Sequence, residues 1–121
     1  MRLYHGTDVE SALGLLNGDE LDGTIAADRH INGAPGFYLA TEEGDAEFFA
    51  IRRDLGRGAI VAFDIDDDVV DELRECGGVT GPIPRSPASP FFAGDEFYLP
   101  MTCFDVFNQA CAEGRIHAVQ P

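Results

Sequence analysis

The chain has no lysine: all eight of its basic residues are arginine, against 22 acidic ones, for a formal charge of −14. A field of that sign repels nucleic acid at long range, which argues against sequence-independent DNA or RNA binding. A compositional bias of genome-wide or high-salt type accounts for the acidity, and Arg2, Arg52, Arg53 and Arg85 are the candidates for a locally positive pocket. No apolar run approaches the roughly 20 residues of a membrane-spanning helix. The opening Met1-Arg2-Leu3-Tyr4-His5-Gly6 also lacks the apolar stretch of a secretory signal, so the expectation is a cytoplasmic protein, signal-independent export remaining compatible. Cysteine is scarce and unpaired in pattern. Cys76, Cys103 and Cys111 form no C-x-x-C motif, which points to reduced thiols in a reducing compartment, used as core filling. No base stands near them in sequence to activate a thiol nucleophile. There is no G-x-G-x-x-G and no P-loop, so any dinucleotide site uses other than Rossmann geometry.

Metal chemistry is equally poorly served, and the expected metal complement is none. Asp64, Asp66, Asp67 and Asp68 lack the glycine and closing glutamate of a calcium loop, and a solvated acidic turn explains them. His30 and His117 have no cysteine or histidine partner at ligand spacing.

Hydrophobic residues make up 45% of the 121 positions, enough for the core of one domain spanning 1–121. Residues 2–5 read as a short strand. Thr7 and Glu10 have the spacing of a capping box, with Val9, Ala12, Leu13 and Leu16 as a helical stripe behind them, ended by Asn17-Gly18. Residues 19–35 are polar and glycine-punctuated, hence loop. Residues 36–40 read as a strand, and Thr41 as the cap of a helix that carries Glu42 and Glu43 in its first turn and stops at Gly56. The clearest strand is 59–65, rich in β-formers. A helix follows over 68–76, ended by Gly77-Gly78. Residues 81–90, with four prolines, read as a surface loop, 96–99 as a strand stopped by Pro100. Thr102 is placed to cap a last helix ending near Gly114, and 115–119 to form an edge strand. Strands and helices intersperse without steady β-α-β alternation, so the expected class is mixed α+β.

Three segments carry candidate chemistry. Tyr4-His5-Gly6-Thr7 closes a strand. Gly36-Phe37-Tyr38 is followed, eleven positions after the tyrosine, by Phe49 on a helix. Gly94-Asp95-Glu96-Phe97-Tyr98 sets a carboxylate at the opening of a strand. Alone, each has an ordinary structural explanation: a turn histidine, a core aromatic pair, a solvated glutamate. Their order, with each member at a strand end or on a helix face, is what a cleft would require.

These segments resemble the His-Tyr-Glu signature of diphtheria-toxin-like and poly(ADP-ribose)-polymerase-like ADP-ribosyltransferases. The likeness runs from residue 3 to 65 and resumes at 94–99. It implies a small mixed ADP-ribosyltransferase fold, a split β-sheet core with flanking helices. It also implies NAD as substrate, with no metal. By position, Glu96 would hydrogen-bond the ribose hydroxyl and stabilise an oxocarbenium-like state as the nicotinamide bond breaks. Tyr38 and Phe49 (or Phe48) would stack on the flat, cationic nicotinamide. His5 would bind the adenosine-side ribose. The backbone of Gly6 would meet the carboxamide, with Thr7 completing that NAD-binding segment.

Two positions depart from the family pattern. Phe49 stands where the toxin has tyrosine, and Gly94 stands two residues before Glu96, where arginine- and asparagine-modifying transferases carry an acidic or amide residue. The resemblance implies a mono-ADP-ribosyltransferase acting on a protein or other acceptor, its small size fitting a toxin or effector restrained by an antitoxin or immunity protein. The alternatives are an NAD glycohydrolase using the same pocket, and a degenerate domain that binds a nucleotide or partner without catalysis.

Overall fold

The apolar run of residues 59–65 forms β3 (Gly58–Ile65), in which Val61, Ala62 and Phe63 are all buried. Consecutive burial, rather than alternation, means that both faces of this strand are covered. In the computed structural model, residues 1–23, 36–53, 58–83 and 92–121 are described. Around β3 the chain adds β1 (Arg2–Asp8), α1 (Val9–Leu16), β2 (Phe37–Ala40) and α2 (Glu43–Arg53) before it. After it come α3 (Asp67–Glu75), β4 (Val79–Pro82), β5 (Asp95–Leu99), a 3-10 turn (Met101–Cys103), α4 (Phe104–Ala112) and β6 (Ile116–Val119). The architecture is α+β: a six-stranded sheet ordered β4-β5-β2-β1-β3-β6, with every ladder antiparallel. Among the described residues no helix is long and apolar enough to cross a membrane.

The ladders are uneven, and the unevenness matters for the site. β1 pairs with β3 along its whole length, from Arg2 opposite Asp64 to Asp8 opposite Gly58. Between β1 and β2 the paired residues are Tyr4 and Ala40 alone. Two three-stranded halves therefore meet at one pair in the middle of the sheet. The family resemblance implies a split sheet; the structure has one six-stranded sheet whose halves are joined at this point.

One face of the sheet carries the main core. Leu3, Phe37, Leu39, Phe63, Phe97 and Leu99 pack there against Ala12 of α1, Val69 and Leu73 of α3, and Phe104 and Phe107 of α4. Phe37, Phe63 and Phe107 form an aromatic trio with ring centroids 5.4–5.9 Å apart. The opposite face takes α2. Its close approach requires glycine beneath it: a Cβ at Gly6 would collide with the Ala46 carbonyl oxygen, and one at Gly58 with the Ala50 carbonyl.

Three expected caps are made differently. The first helix is capped by Asp8, whose carboxylate accepts from Ser11 N at 2.7 Å, because pairing with β3 draws Thr7 into the strand and buries it. Thr41 spends its hydroxyl on Asp95 of β5, not on its own helix. Thr102 donates to Cys76 O at 2.8 Å at the surface, so α4 begins after the 3-10 turn with no side-chain cap. The stretch 79–82, partly expected as loop, is instead the edge strand β4, where Pro82 is tolerated because the sheet ends there. The expected end of α2 at Gly56 lies outside the described residues, as do most of the expected loop 19–35 and residues 84–90 of the proline-rich stretch.

Candidate active site

Glu96 follows the first residue of β5 and stands opposite Ala40 on β2 and Gly81 on β4. Both cross-strand neighbours are small. A Cβ added at Gly81 would meet nothing within 4 Å, so one flank of Glu96 is open. Among the described residues its carboxylate has no hydrogen-bond or ion-pair partner. Partial burial without compensation disfavours the charged form and raises its pKa from 4.5 to about 7.

Tyr38 lies directly opposite Tyr98, with ring centroids 5.0 Å apart. Because side chains alternate along a strand, Tyr38, Tyr98 and Glu96 share one sheet face, the face that α2 covers farther along at β1 and β3. Gly36 is part of this arrangement. A Cβ there would run into the Tyr98 ring and come within 2.7 Å of Leu99 O, which explains the glycine of the Gly-Phe-Tyr triplet in packing terms.

His5 occupies the place where the β1–β2 ladder has stopped. Its Nδ1 is 2.7 Å from the Tyr38 carbonyl oxygen, and its ring stacks on Phe37 with centroids 4.1 Å apart. A carbonyl can only accept, so Nδ1 carries the proton, and the neutral tautomer has its lone pair on Nε2. Histidine meets the tyrosine only through the tyrosine main chain: the His5 ring lies on the core face beside Phe37, and the Tyr38 ring lies with Glu96 on the opposite face.

Phe49 belongs to a separate aromatic group. Its ring lies parallel to Phe92 at 5.7 Å and meets Phe48 edge-on at 5.3 Å, while Phe48 also meets Phe92. Among the described residues no ring contact joins Phe49 to Tyr38. Gly6 and Thr7 are also apart from the glutamate: Gly6 lies under α2, and Thr7 is buried in β1.

Asp45 ties these pieces to Glu96, and the sequence reading passed over it. It is only 5% exposed, and its two oxygens accept from Ala93 N at 3.0 Å and Gly94 N at 2.9 Å. One residue farther on, Asp95 N donates to Thr41 Oγ1 at 2.9 Å and Asp95 O accepts from Thr41 N at 2.9 Å. The approach to β5 is therefore fastened to the β2–α2 junction up to the residue before Glu96. The signal was available: Phe48 and Phe49 follow Asp45 by three and four positions, so the carboxylate sits on the helix's apolar side, where it must find donors.

Described cations are committed elsewhere. Arg2 makes a two-pronged bridge to Asp64 at 2.8 Å, and Arg115 is shared by Asp68, Glu72 and Glu113. The side chains of Arg52 and Arg53, and all of Arg85, lie outside the described residues. No protein-family model, curated protein or solved structure matches the chain.

Proposed function

We propose that this protein is a mono-ADP-ribosyltransferase of the His-Tyr-Glu class, which splits NAD and passes its ADP-ribose to a macromolecular acceptor. The same reading takes the sheet, joined at Tyr4 and Ala40, as the split core of that fold. The observation that carries the proposal is Glu96: a half-buried carboxyl, without a partner among the described residues, on the sheet face that also bears Tyr38.

The chemistry follows from those positions. The bond from ribose C1′ to the nicotinamide nitrogen breaks, and its electron pair leaves with the ring, which becomes neutral. Positive charge develops on the ribose. Ionised Glu96, accepting from the ribose hydroxyl, stabilises that charge more in the transition state than in the ground state. The Tyr38 ring offers a π-face to the cationic nicotinamide before it leaves. His5 takes the adenosine-side ribose by the family resemblance alone, since its ring stacks on Phe37 on the sheet face opposite to Tyr38 and Glu96. An acceptor nucleophile then bonds to C1′ and gives up its proton. Phe49 is assigned the second stacking position, reached by separation of its ring from Phe92 or by stacking on its other face.

Nicotinamide release from NAD, measured for the parent and for Glu96→Gln, is the test. Loss of ~3 kcal/mol of transition-state stabilisation lowers the rate roughly a hundredfold. Equal release by both proteins removes Glu96 from the mechanism. Recovery of label only as free ADP-ribose, with none on a macromolecule, replaces the transferase by an NAD glycohydrolase. Failure to bind NAD at all leaves a non-catalytic partner-binding domain.

A further inference from the structure

The sequence shows three scattered cysteines, but the fold brings two of them together. Cys76 caps the C-terminus of α3, Cys103 ends the 3-10 turn after β5, and their sulfurs are 2.6 Å apart. Both thiols also reach the same acceptor, Leu73 O, at 3.2 and 3.3 Å. The backbones are pinned beside the sulfurs by the Thr102 hydroxyl, which donates to Cys76 O at 2.8 Å. Cys103 is fully buried and Cys76 half-buried, whereas Cys111 is exposed and remote from both.

We infer that Cys76 and Cys103 form a redox modification site, closed to a disulfide by a small peroxide. Its chemistry is independent of the transferase reading. Cys76 is the more exposed residue of the pair. Its thiolate attacks a peroxide oxygen, giving a sulfenic acid and, once the leaving oxygen is protonated, water. The buried Cys103 sulfur then attacks the sulfenic sulfur. Its proton leaves with the displaced hydroxide as a second water. Two thiols and one peroxide become one disulfide and two waters, with two electrons passing from sulfur to oxygen. Burial and the Cys76 sulfur push the Cys103 pKa up, so this thiol stays protonated and inert until the partner is oxidised.

The folded protein accommodates the product without orphaning a polar group. Leu73 O loses two thiol donors on oxidation but keeps Gly78 N, which donates at 2.8 Å. Gly77, at φ +119°, makes the turn between Cys76 and β4 with its backbone already set. The cross-link would enclose β4, β5 and Glu96 in one covalent loop.

The test treats the native, fully reduced chain with hydrogen peroxide near stoichiometry and counts thiols. Expected is the loss of two of the three thiols, with a non-reduced peptide map joining Cys76 to Cys103. A rise in Tm of about 5–15 °C, reversed by dithiothreitol, should accompany it, because a closed loop restricts the unfolded chain. Cys111→Ser should still form the link and Cys76→Ser should not. Three free thiols after treatment, oxidation of Cys76 to the sulfinic acid instead of the link, or a link to Cys111 would each overturn the inference. The wild-type measurement stands even if a cysteine variant fails to fold.

Discussion

The imidazole of His5 donates from Nδ1 to the main-chain carbonyl of Tyr38 at 2.7 Å, bridging two strands whose ladder consists of Tyr4 and Ala40. The side chain does here what a backbone N–H does elsewhere in a sheet. It adds a bond between the two halves where the ladder has stopped. A histidine in this role has a structural task, through Nδ1, whatever further part the proposed chemistry gives it.

That dual role predicts a split outcome on substitution. His5→Phe retains the stack on Phe37 but removes the donor to Tyr38 O. Stability should fall by about 1 kcal/mol, as for a lost, partly solvated hydrogen bond. Urea melts should show a lower midpoint at unchanged slope. Nicotinamide release should fall much further than stability. Equal losses in both would make His5 a structural bridge alone.

Glu96 predicts a pH dependence with a definite sign. Its folded pKa of about 7 lies above the ordinary 4.5, so between those values the native state holds a proton that the unfolded chain has released. Stability from this group therefore falls as pH rises from 4.5 to 7 and stays lowered above it. Glu96→Gln should match the parent below pH 4.5 and be more stable above 7. The gain should be about 1 kcal/mol, since a half-exposed carboxyl is screened by water. On the proposed transferase reading catalysis runs the other way: ionised Glu96 is the form that stabilises the ribose cation, so kcat/KM should rise with pH and level off above about 7. A profile flat from pH 5 to 8 would exclude it as the titrating group.

Asp45 is a positioning residue on the same reading. Asp45→Asn keeps one acceptor oxygen and loses the charge-assisted bond to either Ala93 N or Gly94 N. Because the loosened segment leads directly into Glu96, kcat should drop roughly tenfold while KM changes little. The distinguishing readout is the pH profile. Better-hydrated Glu96 should titrate below 7, a shift that a general loss of stability would not produce. An unchanged inflection with lower activity would reduce Asp45 to a structural clamp.

Much of this architecture was legible in the chain and some of it was not, for physical reasons. The burial of β3, the stop at Asn17 and Gly18, and the closing strand β6 follow from local pattern, and all are present. Thr7, Thr41 and Thr102 differ from expectation alike, because a threonine just ahead of a helical stretch has the local signature of a cap. What decides is whether a distant partner claims it. β3 claims Thr7, Asp95 claims Thr41 and Cys76 claims Thr102. The meeting of Cys76 with Cys103 has no local trace, since it depends on where α3 ends against the turn after β5. At the site, His5, Tyr38 and Glu96 could be named from order and spacing. Asp45 and Tyr98 acquire meaning only from register and from the approach to β5.

Gly6 separates two explanations of the same residue. The family resemblance assigns its bare backbone to the nicotinamide carboxamide, whereas the fold places Ala46 O and Ala50 N against it. In Gly6→Ala the new Cβ would collide with the Ala46 carbonyl and stand 2.8 Å from Ala50 N, both backbone atoms that cannot swing aside. Helix α2 would have to lift from the sheet, carrying Phe48, Phe49 and Asp45 with it, at a cost of about 1–3 kcal/mol. Gly44→Ala is the matched control: it lies in the same helix with nothing within 4 Å, so alanine there should stabilise by about 0.5–1 kcal/mol. Thermal melts and NAD titration of the two variants decide the matter. If Gly6→Ala melts like the parent but binds NAD weakly, the glycine serves the ligand. If it melts early and α2 loses amide-exchange protection, helix docking is the reason for glycine, and any loss of NAD binding follows from the displacement of Phe49.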